Sequence, residues 1–152
     1  MTLFGIDDYT PSEITPQIYI GVEYRLNGKI RLEELGFTHS VSLQAEFDSA
    51  ELGLGLAHHC YLPTNDQHAP SINHLYEGVA FIDHAVENGG KVYVHCAAGV
   101  GRSPTLVAAY FIHQGMTVGD ALVRIQEARP VIDPSSEQVR QLNLFEAAQK
   151  EF

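Results

Sequence analysis

A short β-favouring run, joined through a loop of small residues to a helix that is apolar on every side, constrains the fold of this chain more than any other feature. The run is residues 91–95 (KVYVH), and it follows a turn at Gly89-Gly90. Such a run predicts a buried central strand. The stretch 106–112 (LVAAYFI) is apolar at each position, which predicts a helix inside the core. A buried strand followed at once by a buried helix is typical of an α/β layer fold.

The rest of the chain alternates in the same way. Strands are predicted at residues 18–21, 37–43 and 57–62, the last of them ended by Pro63. Helices are predicted at residues 30–35 after a turn at Asn27-Gly28, from an N-cap at Ser71 to Gly89-Gly90, from Ser103-Pro104 onward, and at residues 118–129 and 137–149. We therefore expect one α/β domain over residues 1–152, with its core at about 14–147 and a mixed, mostly parallel sheet flanked by helices on both faces.

Charge and composition limit the partners of this chain. Its 152 residues carry a formal net charge of −10, which repels nucleic acid and acidic lipid headgroups at long range. No apolar run reaches the roughly 18 to 20 residues that span a bilayer, and the first residues lack a secretory pattern, so no membrane anchor is expected. The two cysteines are too few for a disulfide framework, which favours the cytoplasm. An anionic ligand would therefore need a local positive pocket.

Such a pocket is predicted directly after the central strand, where residues 95–104 read HCAAGVGRSP. Small residues let the backbone approach a ligand closely, and successive N–H groups of such a loop form an anion-binding nest. The following helix, with Pro104 expected at its first position, presents its positive end at the same place. The planar fork of Arg102 matches two phosphate oxygens. The predicted phosphate-binding residues are Cys96, Ala97, Ala98, Gly99, Val100, Gly101 and Arg102.

A cysteine at the start of this loop has two interpretations. Free cysteines are most often packed, inert core residues. Loop N–H groups, a helix N-terminus and a guanidinium, however, lower the pKa of a thiol to roughly 3.5 to 7.5 and so produce a nucleophilic thiolate. The strand, the glycines, Arg102 and the helix start coincide here, which favours Cys96 as a nucleophile.

The sequence also resembles a known family. Residues 95–103 (HCAAGVGRS) match the signature of the cysteine-based protein tyrosine phosphatases: His-Cys, five residues, Arg, then Ser or Thr. The chain is similar to their compact dual-specificity branch from about residue 14 to residue 145, through the segments ITPQIYIG, LGFTHSVSL, LPTND and ARPVIDPSSEQVRQL. Low-molecular-weight phosphatases and arsenate reductases share the Cys-to-Arg spacing but carry the loop near their N-terminus, whereas 95 residues precede Cys96 here.

The resemblance implies a tyrosine-phosphatase-like fold and hydrolysis of phosphomonoesters through a phosphocysteine, without metal or cofactor. Its substrates would be phosphorylated proteins or peptides, and phosphate or sulfate would bind in the loop. It also implies a general acid at Asp66, thirty residues before Cys96 in the polar loop that follows a predicted strand. A solvated turn aspartate is the alternative at that position. Asp48 and Asp83 are weaker candidates for the acid.

Other polar residues receive supporting roles by the same resemblance. Ser103 would donate a hydrogen bond to the leaving thiolate, or serve as an ordinary N-cap. Because side chains alternate along a strand, His95 is expected to point away from the pocket and to orient the loop through hydrogen bonds instead of exchanging protons. Ser135 and Gln141 match positions that help to support the loop in the resembled branch. Relatives often have Asn where this chain has Ser135, which argues against a direct catalytic role there. Cys60 is expected to be a packed strand residue, with a disulfide to Cys96 as the open alternative.

Two other functions stay open at this point. One is a phosphatase of the same chemistry that acts on phosphoinositides or other phospholipids. The other is a phosphate-binding module with weak or lost catalysis. The presence of nucleophile, arginine and acid together counts against the second.

Overall fold

The computed structural model describes residues 11–151 as five strands and five helices. The strands are β1 (Ser12–Thr15), β2 (Ile18–Gly21), β3 (His39–Gln44), β4 (His58–Thr64) and β5 (Val92–His95). The helices are α1 (Leu26–Glu34), α2 (Ile72–Glu87), α3 (Arg102–His113), α4 (Val118–Ala128) and α5 (Ser136–Gln149). The outer limits of the expected domain, residues 1–10 and 152, lie outside the described residues. Among the described residues, every helix is too short or too polar to cross a membrane.

The strands form a single mixed sheet in the order β1-β2-β5-β3-β4. β5 pairs in parallel with β2 on one side and β3 on the other, and β3 pairs in parallel with β4. The antiparallel pair is β1 with β2. The prediction of an α/β fold with a mixed, mostly parallel sheet is therefore confirmed, and residues 92–95 form its fully buried central strand.

Alternation along β5 divides the core between the two faces of the sheet. Val92, Val94 and Cys96 belong to the larger apolar cluster, which α2, α3, α4 and α5 cover. Tyr93 points to the opposite face, where it packs with Leu32 of α1 in a smaller cluster. α3 contributes residues that are buried from Arg102 to Ile112, as its all-round apolar sequence predicts. This helix lies behind the loop that links it to β5, so the loop rests on a well-packed support.

Several predicted boundaries are wrong. α1 begins at Leu26, so Asn27-Gly28 lies in its first turn and not in a separate turn. Packing explains the difference, because Leu32 is completely buried under the loop after β3 and Lys29 Nζ donates to Gly53 O in that loop at 2.9 Å. Strand β1 was not predicted at all.

Strand β4 continues through Pro63 to Thr64 instead of ending before the proline. The pairing register explains why the proline is tolerated. Ser42 pairs with Tyr61 and Gln44 pairs with Thr64, so two residues of β4 stand opposite one residue of β3. β4 is an edge strand, and a bulge at an edge is where a proline, which has no N–H, costs least.

Candidate active site

Cys96 lies immediately after β5, at the carboxyl end of the central strand. Its side chain is 3% exposed, and its Sγ atom lies 3.2 Å from Ser103 Oγ. Helix α3 begins at Arg102 with Gly101 as its N-cap. The predictions that Ser103 is an N-cap and Pro104 the first helical residue are therefore wrong by two positions. Pro104 still lies in the first turn, where the missing N–H would have had no helical acceptor. The hydroxyl of Ser103 is instead directed at the thiol.

The loop between Cys96 and α3 is held in place by hydrogen bonds that its own carbonyl groups accept from other parts of the chain. Four consecutive carbonyls accept hydrogen bonds from other parts of the chain: Ala97 O from the Glu23 amide (3.1 Å), Ala98 O and Gly99 O from the Arg129 guanidinium (3.0 and 2.9 Å), and Val100 O from the Asp133 amide (2.8 Å). The next carbonyl, Gly101 O, accepts the first helical bond of α3, from the Thr105 amide at 3.1 Å. No hydrogen bond of the described residues uses an amide between Ala97 and Arg102 as donor to a loop or side chain. With the carbonyls turned outward, these N–H groups face the inside of the loop, which is the arrangement of an anion nest.

Gly99 and Arg129 fix the shape of this loop. Gly99 has φ +68°, and a Cβ atom there would lie 2.8 Å from Gly21 O and 2.9 Å from Arg129 Nη2. A side chain would therefore clash with the group that anchors the loop. Arg129 is 2% exposed and also donates from Nη1 to Ser12 Oγ at 3.0 Å, so it joins β1 to the loop. Sequence reasoning assigned no role to Arg129, although it lies in one of the segments that resemble the family.

The guanidinium of Arg102 is 1% exposed, and its donors are divided between two edges. Nη1 donates to Glu46 Oε1 at 2.6 Å and to Thr64 O at 2.8 Å, and Nη2 donates to Glu46 Oε2 at 3.1 Å. Nε is buried without a hydrogen-bond partner. An arginine has five N–H donors, so three are engaged and two are left, on Nε and Nη2. These two lie on one edge of the planar group, in the geometry that grips two oxygens of one phosphate.

Glu46 is a site residue that the sequence analysis missed. Its hydrogen bond with Arg102 is the main reason why the pKa of this carboxyl is lowered to about 2, with burial opposing and Gln44 assisting. It therefore keeps its negative charge and holds the guanidinium in place. The available signal was its position, three residues beyond Leu43 at the carboxyl end of a strand beside the central one.

Asp66 lies at the mouth of the loop, in the segment that follows β4. Its Oδ1 atom is 3.7 Å from Arg102 Nη2, and its side chain is 75% exposed. The two rival aspartates are engaged elsewhere. Asp48 Oδ1 accepts a hydrogen bond from the Ala50 amide at 2.9 Å. Asp83, in α2, accepts one from Gln114 at the end of α3 at 3.5 Å. Of the three candidates, Asp66 is the one that the fold brings to Arg102.

The loop that carries Asp66 is fastened to the start of α5. Four hydrogen bonds join them: Ser135 Oγ to Gln67 O (2.8 Å), Gln138 Nε2 to His68 O (3.0 Å), Gln141 Nε2 to Pro70 O (2.8 Å) and the Ala69 amide to Glu137 Oε2 (2.7 Å). Gln67 has φ +67°, an uncommon conformation for a residue with a side chain. Ser135 and Gln141 thus support the loop of Asp66, while Gln138 was not considered from sequence.

His95 points away from Cys96, as alternation along β5 predicts, and its ring lies close to the backbone of Cys96. Its ring lies between Tyr24 and Tyr93 at centroid distances of 5.1 and 5.7 Å. Neither ring nitrogen makes a hydrogen bond of good geometry, although the ring is near the backbone of Cys96. Complete burial lowers the pKa of His95 to about 3, with a smaller contribution from His59. His95 therefore supports the loop as a neutral packed ring.

Cys60 is too far from Cys96 for a disulfide. Cys60 pairs with Val41, and Val41 pairs with Val94, so two strand spacings, about 10 Å, separate Cys60 from β5. A disulfide needs Cα atoms within about 7 Å of each other. Burial, followed by Glu77, raises the pKa of Cys60 to about 12. Within residues 11–151 no cluster of three or more His, Cys, Asp or Glu side chains is arranged to hold a metal ion.

The family of this chain follows from comparison with known proteins. A family model for the dual specificity phosphatase catalytic domain matches residues 18–148. The chain belongs to this family. The resemblance carried by residues 95–103 is thereby confirmed.

Curated relatives of this dual specificity phosphatase domain are longer proteins. Dual specificity protein phosphatase 1-A of Xenopus laevis is 32% identical over 145 residues, and dual specificity protein phosphatase 5 of Rattus norvegicus is 33% identical over 143 residues. Each match covers 93% of this chain but 38% and 37% of the relative. The chain thus spans less than two fifths of the length of these relatives.

Solved structures of similar size share the fold. A crystal structure of PTPMT1 in complex with PI(5)P superimposes with a TM-score of 0.84 at 25% identity, covering 93% of this chain and 97% of that one. A crystal structure of Tk-PTP in the active form has a TM-score of 0.77 at 26% identity, covering 90% of this chain and 96% of that one. The dual specificity phosphatase domain therefore has the architecture of these proteins over most of its length.

Proposed function

We propose that this chain hydrolyses phosphomonoesters, as a protein tyrosine or dual-specificity phosphatase that works through a phosphocysteine. The observation that carries the proposal is the free, buried edge of Arg102 at the end of the loop that begins at Cys96 and whose carbonyls are bonded from outside. Membership of the dual specificity phosphatase family supports it. A reducing, cytoplasmic setting belongs to the same proposal, because the mechanism needs Cys96 as a free thiol.

In the proposed mechanism, the substrate phosphate rests on the loop amides and on the Nε–Nη2 edge of Arg102. The Cys96 thiolate attacks phosphorus in line, and the bond from phosphorus to the ester oxygen breaks as Asp66 gives that oxygen a proton. Ser103, 3.2 Å from Sγ, donates a hydrogen bond to sulfur when it departs again. Water then attacks the phosphocysteine while Asp66 takes its proton, which releases phosphate and restores the thiolate.

The test compares Cys96→Ser with the wild-type protein on an aryl phosphate. We expect the variant to lose turnover and still bind inorganic phosphate, because the loop amides and Arg102 remain. Cys60→Ser is the matched control, since it makes the same change in a buried cysteine outside the loop, and it should keep wild-type turnover. Wild-type activity should survive excess chelator. Appreciable hydrolysis by purified Cys96→Ser, or loss of wild-type activity in chelator, would contradict the proposed chemistry.

A phosphoinositide is the second candidate substrate, since the structural neighbour PTPMT1 was crystallised with PI(5)P. The loop of this chain offers no basic side chain between Cys96 and Arg102 to pair with further phosphates of a headgroup. We therefore expect higher kcat/KM on phosphotyrosine peptides than on phosphoinositides at physiological ionic strength. A phosphoinositide value tenfold or more above that of the best peptide would reverse the choice and leave the chemistry in place.

A further inference from the structure

Carboxylates crowd the mouth of the proposed phosphate pocket. They belong to the segments that follow the carboxyl ends of the parallel strands, to the segment that leads into α5, and to the first turn of α5. Besides Asp66, these are Glu23, Glu46, Asp48, Glu51, Asp133 and Glu137. Two exposed arginines lie near them: Arg25 is 71% exposed and already pairs with Glu23 at 3.6 Å, and Arg140 of α5 lines the same surface pocket as Glu137.

Contacts place Glu23, Glu46 and Asp133 around the Cys96–Arg102 loop. The Glu23 and Asp133 amides both donate to the Cys96–Arg102 loop, at 3.1 and 2.8 Å. Gln44 Nε2 donates to Glu23 Oε2 and to Glu46 Oε2, each at 3.3 Å, and so joins the first carboxylate to the one that holds Arg102.

Asp48 and Glu51 extend the group along the segment after β3. Tyr61 Oη donates to Gln44 O at 2.8 Å, which places this phenol at the carboxyl end of β3. Burial raises the pKa of Tyr61, and Asp48, Glu46 and Glu51 raise it further, as expected for carboxylates near that strand end. In the described part of the chain, no ion pair includes Asp48, Glu51 or Asp133. These three charges are therefore not neutralised by a neighbouring cation.

The base of the phosphate pocket, in contrast, needs a negatively charged ligand group. The unpartnered Nε of Arg102, on a side chain 1% exposed, needs an anionic oxygen at the base of the pocket. A ligand that satisfies both must carry a phosphate at one point and positive charge on either side of it. A multiply phosphorylated headgroup places negative charge at both positions, whereas a peptide can place Lys or Arg beside its phosphorylated residue.

We infer that this site takes phosphorylated peptide segments in which Lys or Arg flanks the phosphorylated residue. The inference rests on the proposed phosphatase function and adds the charge of the substrate. Exposed charge pairs are weak singly, at about 1.5- to 5-fold in an equilibrium constant, and they are screened by salt. Two or three such pairs would together favour basic over neutral flanks by about tenfold at low ionic strength.

The experiment uses three phosphotyrosine peptides of equal length whose flanking residues are Lys, Gln or Glu. We expect kcat/KM to fall in the order Lys, Gln, Glu, and the differences to shrink when salt rises from about 0.05 M to about 0.5 M. A double variant, Glu51→Gln with Asp133→Asn, should lose several-fold of its preference for the Lys peptide. Its rate on a small aryl phosphate with no other charged group should stay the same, because both changes are confined to side chains and leave the Asp133 amide that donates to Val100 O in place.

The matched control is Glu87→Gln with Asp120→Asn, which removes the same charges at the opposite end of the sheet and should leave the preference unchanged. Equal kcat/KM on the Lys and Glu peptides would overturn the inference, as would a higher value on the Glu peptide or on a phosphoinositide. In those cases hydrolysis of the aryl phosphate shows that the proposed function still stands. Failure to hydrolyse any phosphate ester would instead remove the proposed function.

Discussion

The carboxylate of Asp66 stands 3.7 Å from the Arg102 guanidinium, at the tip of a loop and open to solvent. That position suits a group that must meet the ester oxygen of a substrate whose phosphate already lies against Arg102. Glu46 also approaches the guanidinium, but it occupies the edge that faces away from the free donors. Two acidic residues at one arginine thus have different tasks, one structural and one proposed to be catalytic.

If Asp66 is the general acid, the loss of activity on replacing it should depend on how much the leaving group needs a proton. We expect Asp66→Asn to lower kcat on phosphotyrosine by about 10² to 10⁴, because the departing phenoxide needs a proton. An activated aryl phosphate, whose leaving group is stable as an anion, should lose much less. Steady-state kinetics on both substrates measures the effect, with Asp48→Asn as a control that should match the wild type. Equal rates for Asp66→Asn and wild type on both substrates would show that the acid lies elsewhere.

The arrangement of this site was only partly predictable from sequence. Residues 96–103 are contiguous, so loop, arginine and helix start could be placed together before any fold was known. Glu46 lies 56 residues before Arg102, and its contact depends on β3 being the neighbour of β5, which spacing alone does not reveal. The packing of His95 between the rings of Tyr24 and Tyr93 likewise depends on the tertiary fold, because Tyr24 is distant in sequence.

At the scale of elements, α5 positions the loop of Asp66 across a long sequence separation. Its first two turns supply Glu137, Gln138 and Gln141, and its N-cap Ser135 supplies a fourth contact. α5 also has a capping box between Ser135 and Gln138, so the same two residues begin the helix and hold the loop. The position of the proposed acid is therefore set by a helix about 70 residues later in the chain.

Loosening this connection should affect only the step that needs the acid. We expect Gln141→Ala, which removes the bond to Pro70 O, to lower kcat on phosphotyrosine by about 2- to 10-fold, the equivalent of one hydrogen bond. Turnover of an activated aryl phosphate should be nearly unchanged. Gln149→Ala is the control, because Gln149 bonds His113 at the other end of α5. An equal loss on both substrates would indicate a general effect on folding and contradict the proposed positioning.

The elements that sequence missed are those whose stability comes from contacts with distant parts of the chain. β1 is four residues long and is held by pairing with β2 and by Arg129. The first turn of α1 contains Asn27 and Gly28, a pair that favours turns, but burial of Leu32 and Gly28 outweighs that preference. The existence and burial of strand β5 and helix α3 were predicted correctly because their apolar residues are consecutive, although α3 begins two residues earlier than predicted.

For the whole molecule, histidines whose pKa is lowered by the fold make stability depend on pH. Burial lowers the pKa of His39, with help from His58 and His84, and burial lowers the pKa of His95 to about 3. In the unfolded chain each has its ordinary pKa near 6.5. Between the folded and unfolded pKa values the unfolded chain binds more protons, so acid favours unfolding. The stabilisation is fully present above about pH 6.5 and is lost progressively as the pH falls toward the folded values.

We expect the free energy of unfolding to drop by about 2 kcal/mol from His95 alone between about pH 7 and pH 5. Urea unfolding at a series of pH values measures it. His95→Gln should flatten this dependence, whereas His74→Gln, a change in the first turn of α2, should leave the slope as in the wild type. A wild-type curve that is level over this range would contradict the assignment.

The proline in β4 also bears on how copies of this protein behave at high concentration. The outer side of an edge strand carries backbone groups that can pair with another chain, and uninterrupted edges are where sheets of separate molecules join. Pro63 is exposed, has no N–H to offer and stands in a bulge that breaks the even spacing of the edge. The strand that carries the Asp66 loop is therefore a poor template for a second copy, and the protein is protected from edge-to-edge aggregation on that side.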